Sequence, residues 1–215
     1  MSNAKAEIFA AIRKSLPSPS SATNIAEALA ALRNRVNPTR PDRVNGAPDE
    51  VFLARVQSPG VAASAERIAN LDNLPAAVAR YVSKNNLPPS IALQPHPDLQ
   101  GLNWSGLHIH HDIATDEPVA VGLALGGIAE TGTLVFHSQP HSPTLFAFLP
   151  LHHIVAVYAE TIWPWLEDYT AEFVGQTPPR NINFVTGASG TTDIEGTLVR
   201  GAHGPGWLHI ILVEQ

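Results

Sequence analysis

The sequence contains no cysteine. That excludes disulfides, thiolate metal sites and iron–sulfur ligation by the usual cysteine route. It also fits a reducing compartment, so the expected location is cytoplasmic. Long apolar runs are missing too: none approaches the ~18 residues that a membrane span needs. The N-terminus is amphipathic, carries Glu7 and has no continuous apolar stretch, so no secretory leader is expected. Positive charge is scarce over most of the chain. Residues 1–81 hold ten of the 13 Lys and Arg and seven of the 19 Asp and Glu, a net of +3; residues 82–215 hold only Lys84, Arg180 and Arg200 against twelve acids, a net of −9. A body so poor in cations is a weak match to nucleic acid, which needs several Lys or Arg to neutralise phosphates. The mildly basic N-terminal part is expected to dock on an acidic body or partner. Three familiar motifs are absent: the Walker lysine, the Gly-x-Gly-x-x-Gly spacing of a dinucleotide site and the His-Glu-x-x-His of a zinc hydrolase.

What remains is 215 residues, 44% hydrophobic, with a mean hydropathy of +0.01. That suffices for one sizeable core with an appendage. Ile8, Ile12 and Leu16 recur at helical spacing beside Phe9, so residues 3–16 read as an amphipathic helix. The Pro17–Ser21 stretch breaks it, and an Ala-rich helix follows from Thr23 to Arg35. Asn37–Pro48 reads as a linker, which divides the chain into a helical arm over 1–45 and an α/β domain over 46–215. In that domain helices are expected at 49–57, 71–85, 145–149, 162–173 and 193–200. Strands are expected at 60–64, 91–94, 107–110, 118–125, 127–129, 132–137, 154–158, 181–186 and 207–213. This alternation predicts a three-layer α/β fold, a sheet with helices on both faces.

Three constellations stand out. The first is the Gly-rich loop Gly187-Ala188-Ser189-Gly190, followed by Thr192-Asp193-Ile194-Glu195. Gly187, Gly190 and a helix N-terminus would present amides to an anion. Thr-x-x-Glu is equally a capping box, which would make Glu195 structural and Asp193 a complement to the helix dipole. Ser189 falls one residue short of a nucleophile elbow. The second is Glu130-Thr131-Gly132-Thr133 between apolar strands. Glu130 is either an exposed turn carboxylate or a general base, nucleophile or hydrogen-bond acceptor at the mouth of the sheet. The third is the set of ten histidines, all beyond residue 95. His108 and His110 share a strand face, which is a possible zinc geometry without a third partner; no metal site is assigned. His137 and His141 flank a turn at Pro140, and His152-His153 precede a strand. His203, in Ala-His-Gly-Pro-Gly, either satisfies a local carbonyl or faces the 187–195 loop across a cleft. The pocket expected from these residues is lined by Glu130, Thr131, Thr133, Asp193, Glu195 and His203.

Taken together, Gly127–Thr133, Leu149-Pro150-Leu151-His152-His153-Ile154-Val155, Thr192–Glu195 and Gly204–Leu212 resemble the LUD domain, and specifically the lactate utilization protein C family. The resemblance spans roughly residues 50–215. It implies a NagB/RpiA/CoA transferase-like fold with an N-terminal helical extension. It also implies a role in oxidising L-lactate to pyruvate as a non-redox subunit or accessory, alongside partner proteins of which at least one carries iron–sulfur clusters. The cofactor is open, and a small carboxylate or nucleotide-like ligand would occupy the pocket. An alternative, drawn from the fold alone, is an acyl- or CoA-transferase-like or formyl-folate-ligase-like enzyme using Glu130. One departure is visible. Family members commonly show Gly-Pro-Ser-Arg before the Thr-x-Asp-Ile-Glu run, whereas Gly187–Gly190 here lacks the arginine, and with it any bidentate anion contact.

Overall fold

The computed structural model describes residues 3–15, 22–33, 44–192, 196 and 198–215. The chain divides into two compact units, residues 1–42 and 43–215. The first holds helices α1 (Asn3–Ser15) and α2 (Ala22–Arg33). Ile8, Phe9 and Ile12 on α1, and Ile25, Leu29 and Leu32 on α2, are exposed.

The second unit is built on a six-stranded sheet in which every pairing is parallel. Its strands are β1 (Ser64–Ile68), β2 (Ser90–Leu93), β3 (His108–His110), β4 (Val119–Leu123), β7 (His152–Tyr158) and β12 (Trp207–Val213), in spatial order β1-β12-β7-β4-β2-β3. The three central strands are almost wholly apolar because both of their faces are covered. Along β7, Ile154 and Ala156 enter one core while Val155 and Val157 enter the other; along β12, Ile211 and Val213 part from Ile210 and Leu212 in the same way. This is the two-residue period of a strand read on both faces.

Helices lie on both faces. On one, α4 (Leu74–Lys84) buries Leu74, Ala77, Val78 and Val82, and the short α5 (Pro97–Gln100) adds Leu99. On the other, α3 (Pro48–Val56) buries Phe52 and Val56 beside a second sheet. That sheet consists of β5 (Gly126–Ile128), β6 (Thr133–His137), β8 (Ile162–Trp163) and β9 (Ile182–Val185), in the order β8-β5-β6-β9. α6 (Leu166–Glu172) places Tyr169 against Ile128 and Val135 of this sheet. A hairpin of β10 (Gly190–Thr192) and β11 (Leu198–Arg200) stands apart. Among the described residues no helix is long and apolar enough to cross a membrane.

Four sequence expectations need correction. The helix expected at 193–200 does not extend to its end: Leu198–Arg200 is a strand paired antiparallel with Gly190–Thr192. Gly196 sits at φ +82°, a turn conformation that interrupts a right-handed helix, and the β-branched Thr191 and Val199 favour extended chain. The helix expected from Ile162 begins only at Leu166. Ile162 and Trp163 are extended against Gly127 and Ile128, and Trp163 precedes Pro164, whose ring disfavours a helical residue before it. The segment 60–64 forms turns, and the edge strand starts at Ser64 and continues to Ile68. The helix expected at 145–149 is a single 3-10 turn, Thr144–Ala147. The double glycine at 126–127 has a packing cause. A Cβ at Gly126 would lie 2.3 Å from the Thr161 carbonyl oxygen, and one at Gly127 would lie 2.8 Å from Phe52 and Ile162. These two residues let β5 approach β8 and α3 closely.

Candidate functional site: a histidine-lined cleft at the carboxyl edge

In an open parallel sheet the crevice outside the carboxyl ends of the strands is where ligands bind. Here β2, β4 and β7 end at Leu93, Leu123 and Tyr158, and the residues that follow form the floor of a cleft. Gln94, directly after β2, is buried and fully engaged. Its Oε1 accepts from the Leu123 amide at 2.9 Å, and its Nε2 donates to the His141 carbonyl at 3.0 Å. One side chain thus ties the 138–143 loop to the sheet. His96 follows. Its Nδ1 accepts from the Asp98 amide at 3.3 Å, and its ring meets His141 edge-on, centroids 5.0 Å apart. His137 enters from the end of β6, with Nε2 2.9 Å from the Tyr169 hydroxyl and its ring 4.9 Å from Phe173.

Two adjoining cavities result. One, of about 200 Å³, is lined by Gln94, His96, Asp98, His137, His141 and Tyr158 among others. The second, of about 450 Å³, is lined by Tyr169, Phe173, Pro178 and Pro179, and shares Leu125, His137 and Gln139 with the first. His137 therefore stands on the wall between them. Burial lowers the pKa of His137. Burial also lowers His96, with Asp98 opposing and His141 reinforcing. Burial raises Tyr169, and raises Tyr158 with help from the charges of Asp98 and Glu160. At neutral pH His96 and His137 are therefore mainly neutral and the two phenols protonated. Among the described residues no Lys or Arg lines either cavity. The cleft offers the Asp98 carboxylate, neutral hydrogen-bond donors and acceptors, and imidazoles able to exchange a proton with a ligand oxygen. Among the described residues it offers no cation that would neutralise a polyphosphate.

Residues 113–213 match the LUD domain family model. That stretch of the chain is similar to the LUD domain. It is 35% identical over 109 residues to lactate utilization protein C of Geobacillus kaustophilus, covering 47% of this chain and 45% of that protein. It is 33% identical over 118 residues to the protein of the same name from Bacillus licheniformis, covering 52% and 49%. The chain thus spans about half the length of the curated relatives it matches. A crystal structure of a DUF162 family protein from Deinococcus radiodurans superposes with a TM-score of 0.54 at 19% identity, over 79% of this chain and 99% of that one. That likeness concerns the fold.

The LUD match contains Leu125, His137, His141, Tyr158 and Tyr169 of the cleft but leaves Gln94, His96 and Asp98 outside it. The residues singled out from sequence lie elsewhere. Glu130 is half-buried on the turn after β5, its amide donating to the Pro164 carbonyl at 3.0 Å. Thr131 and Thr133 are brought together, 2.7 Å between hydroxyls, and Thr133 reaches the Thr186 hydroxyl at 2.6 Å. Gly187 packs on the Val61 carbonyl, and Gly190 starts β10. Asp193 and Glu195 lie outside the described residues. His203 is exposed on the Gly201–Pro205 turn, which is fastened to Ser189: the Ser189 amide donates to Pro205 and its carbonyl accepts from Gly201. Glu130, Thr131, Thr133, Gly187, Gly190 and His203 line neither cavity of the cleft. The turn carrying His203 precedes β12, at the amino edge of the sheet.

For the histidines in β3, His108 is exposed and His110 has Nδ1 2.9 Å from the Asp112 carbonyl. Among the described residues no group of three or more His, Asp or Glu is disposed to hold a metal ion. Sequence reasoning noted His137 and His141 for their turn but passed over Gln94, His96, Tyr158 and Tyr169. The available signal was positional: each follows or ends an expected strand, or faces one that does.

Proposed function

We propose that this chain serves lactate utilization as a non-redox subunit, holding a small polar ligand in the His96–His137–His141 cleft while iron–sulfur partner proteins carry the electrons. The observation that supports this most directly is the likeness to lactate utilization protein C relatives, together with the LUD-domain match over residues 113–213, which include most of the lining of the first cavity. The cysteine-free sequence agrees with redox centres lying in other chains. The lining agrees with a ligand that is small, hydroxylated and at most singly anionic, because the donors available are imidazoles, phenols and amides. Residues 1–45 are assigned as an arm for partner binding, and 46–215 as the ligand-holding domain. The exposed apolar residues of α1 and α2 support the arm's role.

Deletion of the gene tests the role: growth on L-lactate fails while growth on glucose continues. Unimpaired growth on L-lactate contradicts it. A pull-down from lactate-grown cells tests the partnership, with iron–sulfur proteins retained by the full chain and lost on removal of residues 1–45.

A further inference from the structure

A second constellation lies on the opposite edge of the sheet, beneath the last turn of α4, and is unrelated to the cleft. In the parallel pairing of β1 with β12, Ser64 stands directly opposite His209. Glu66, two residues along, projects from the same face as Ser64. The Ser64 hydroxyl is 2.8 Å from His209 Nδ1. His209 Nε2 is 3.4 Å from Glu66 Oε1, and Glu66 Oε2 accepts from Arg80 Nη2 at 3.0 Å. Tyr81 stacks on the imidazole with centroids 4.4 Å apart and fixes its plane. The group faces a cavity of about 460 Å³ whose lining includes Ser64, Glu66, Arg80, Lys84, Trp207 and His209.

The polarity of this chain of contacts follows from its end. A carboxylate only accepts, so the ring proton resides on Nε2 and the lone pair on Nδ1, directed at the serine hydroxyl. Burial lowers the pKa of His209, opposed by its hydrogen bond to Glu66, and this keeps Nδ1 unprotonated at neutral pH. Ser64 itself is exposed, so a substrate reaches it. A nucleophile, a base and an orienting carboxylate in hydrogen-bond sequence are the parts of serine acyl transfer, recognised by geometry and not by order in the chain.

We propose that Ser64, His209 and Glu66 form a hydrolytic triad that cleaves small acyl esters or thioesters bearing an anionic group, for which Arg80 and Lys84 supply the attracting charge. Ser64 Oγ bonds to the acyl carbon as its proton passes to His209 Nδ1. The alcohol or thiol departs with that proton. Water then attacks the acyl-serine and gives a proton to Nδ1; the Oγ–acyl bond breaks, the carboxylic acid leaves, and Ser64 recovers its proton. Glu66 is a positioning residue. This activity goes beyond the lactate role and does not depend on it.

The test uses the full chain with a fluorophosphonate probe, followed by peptide mass mapping, and with p-nitrophenyl acetate. The expected result is one probe adduct, on Ser64, and saturable ester hydrolysis. Ser64→Ala, a change at an exposed position, removes the adduct and lowers hydrolysis by about 100-fold or more. Glu66→Gln slows labelling and moves its pH midpoint, a response that a merely structural contact would not give. The facing groups to consider in that profile are Arg80, Lys84, Tyr81 and His152. Two results overturn the proposal: no adduct on Ser64 of the wild-type protein under conditions that label a serine hydrolase, or hydrolysis retained by Ser64→Ala.

Discussion

His153 lies on the central strand β7, is 1% exposed, and has no hydrogen-bond partner for either ring nitrogen among the described residues. Room for its ring comes from Gly122 on β4, where a Cβ would sit 3.2 Å from Nε2 and 2.6 Å from the oxygen of Gln94. Burial lowers the pKa of His153 to about 3. Above pH ~6.5 folded and unfolded chains both carry a neutral ring and the shift has no effect on stability. Between ~6.5 and ~3 the unfolded chain takes up a proton that the folded one refuses, so stability falls as pH falls, by roughly 1.4 kcal/mol per unit for each such ring. Urea unfolding at pH 5 is therefore expected to give about 2 kcal/mol less stability from His153 alone than at pH 7. A His153→Leu variant should show a shallower loss. The lowered values of His96, His137 and His209 act in the same direction. At the cleft, Tyr169→Phe removes the hydroxyl that meets His137 Nε2 and should cost about 1 kcal/mol in the same assay, the low end for a lost partner because the cavity admits water.

At the scale of elements, the close fit between β9 and the segment before β1 depends on Gly187. Its φ is +79°, and a Cβ would lie 2.1 Å from the Val61 carbonyl oxygen. Gly175 has nearly the same φ, +81°, with open space around it. The pair separates backbone strain from collision. Gly175→Ala should lower stability by about 1–2 kcal/mol, the strain alone. Gly187→Ala should lose about 1–3 kcal/mol more because Val61 must move. Thermal melts of the two variants side by side check this. The elements themselves were unevenly legible. Ile154–Tyr158 and Trp207–Val213 announce buried strands because they are short, apolar runs rich in β-branched residues. β11 was hidden because Thr192–Glu195 carries a helix-start pattern inside what is a hairpin pairing Gly190 with Arg200. β8 was hidden because two residues paired with a glycine strand leave no period to read.

For the whole molecule, the doubly covered parallel sheet followed from the alternation of strands with helices, and most of the second sheet did not. Its β5–β6 hairpin is legible in the Glu130–Gly132 turn, but β8 and β9 join it through pairings with β5 and β6 that lie more than thirty residues apart. The site shows the same contrast. The sequence draws the eye to local motifs, glycine loops and Glu-Thr-Gly, where several of the glycines turn out to permit close packing. The cleft is assembled from the ends of β2, β4, β6 and β7, which are separated in the chain and share no motif. Only the sheet order brings His96 to the cleft that His137 and His141 line. If that cleft is where the lactate role is exerted, losing its imidazoles must abolish the role while the fold persists. The direct measurement is growth on L-lactate of a deletion strain carrying either the wild-type gene or a His96→Ala/His137→Ala variant, with the variant shown to fold by circular dichroism. The account predicts that the wild type restores growth and the folded variant does not. Growth restored equally by both would contradict it.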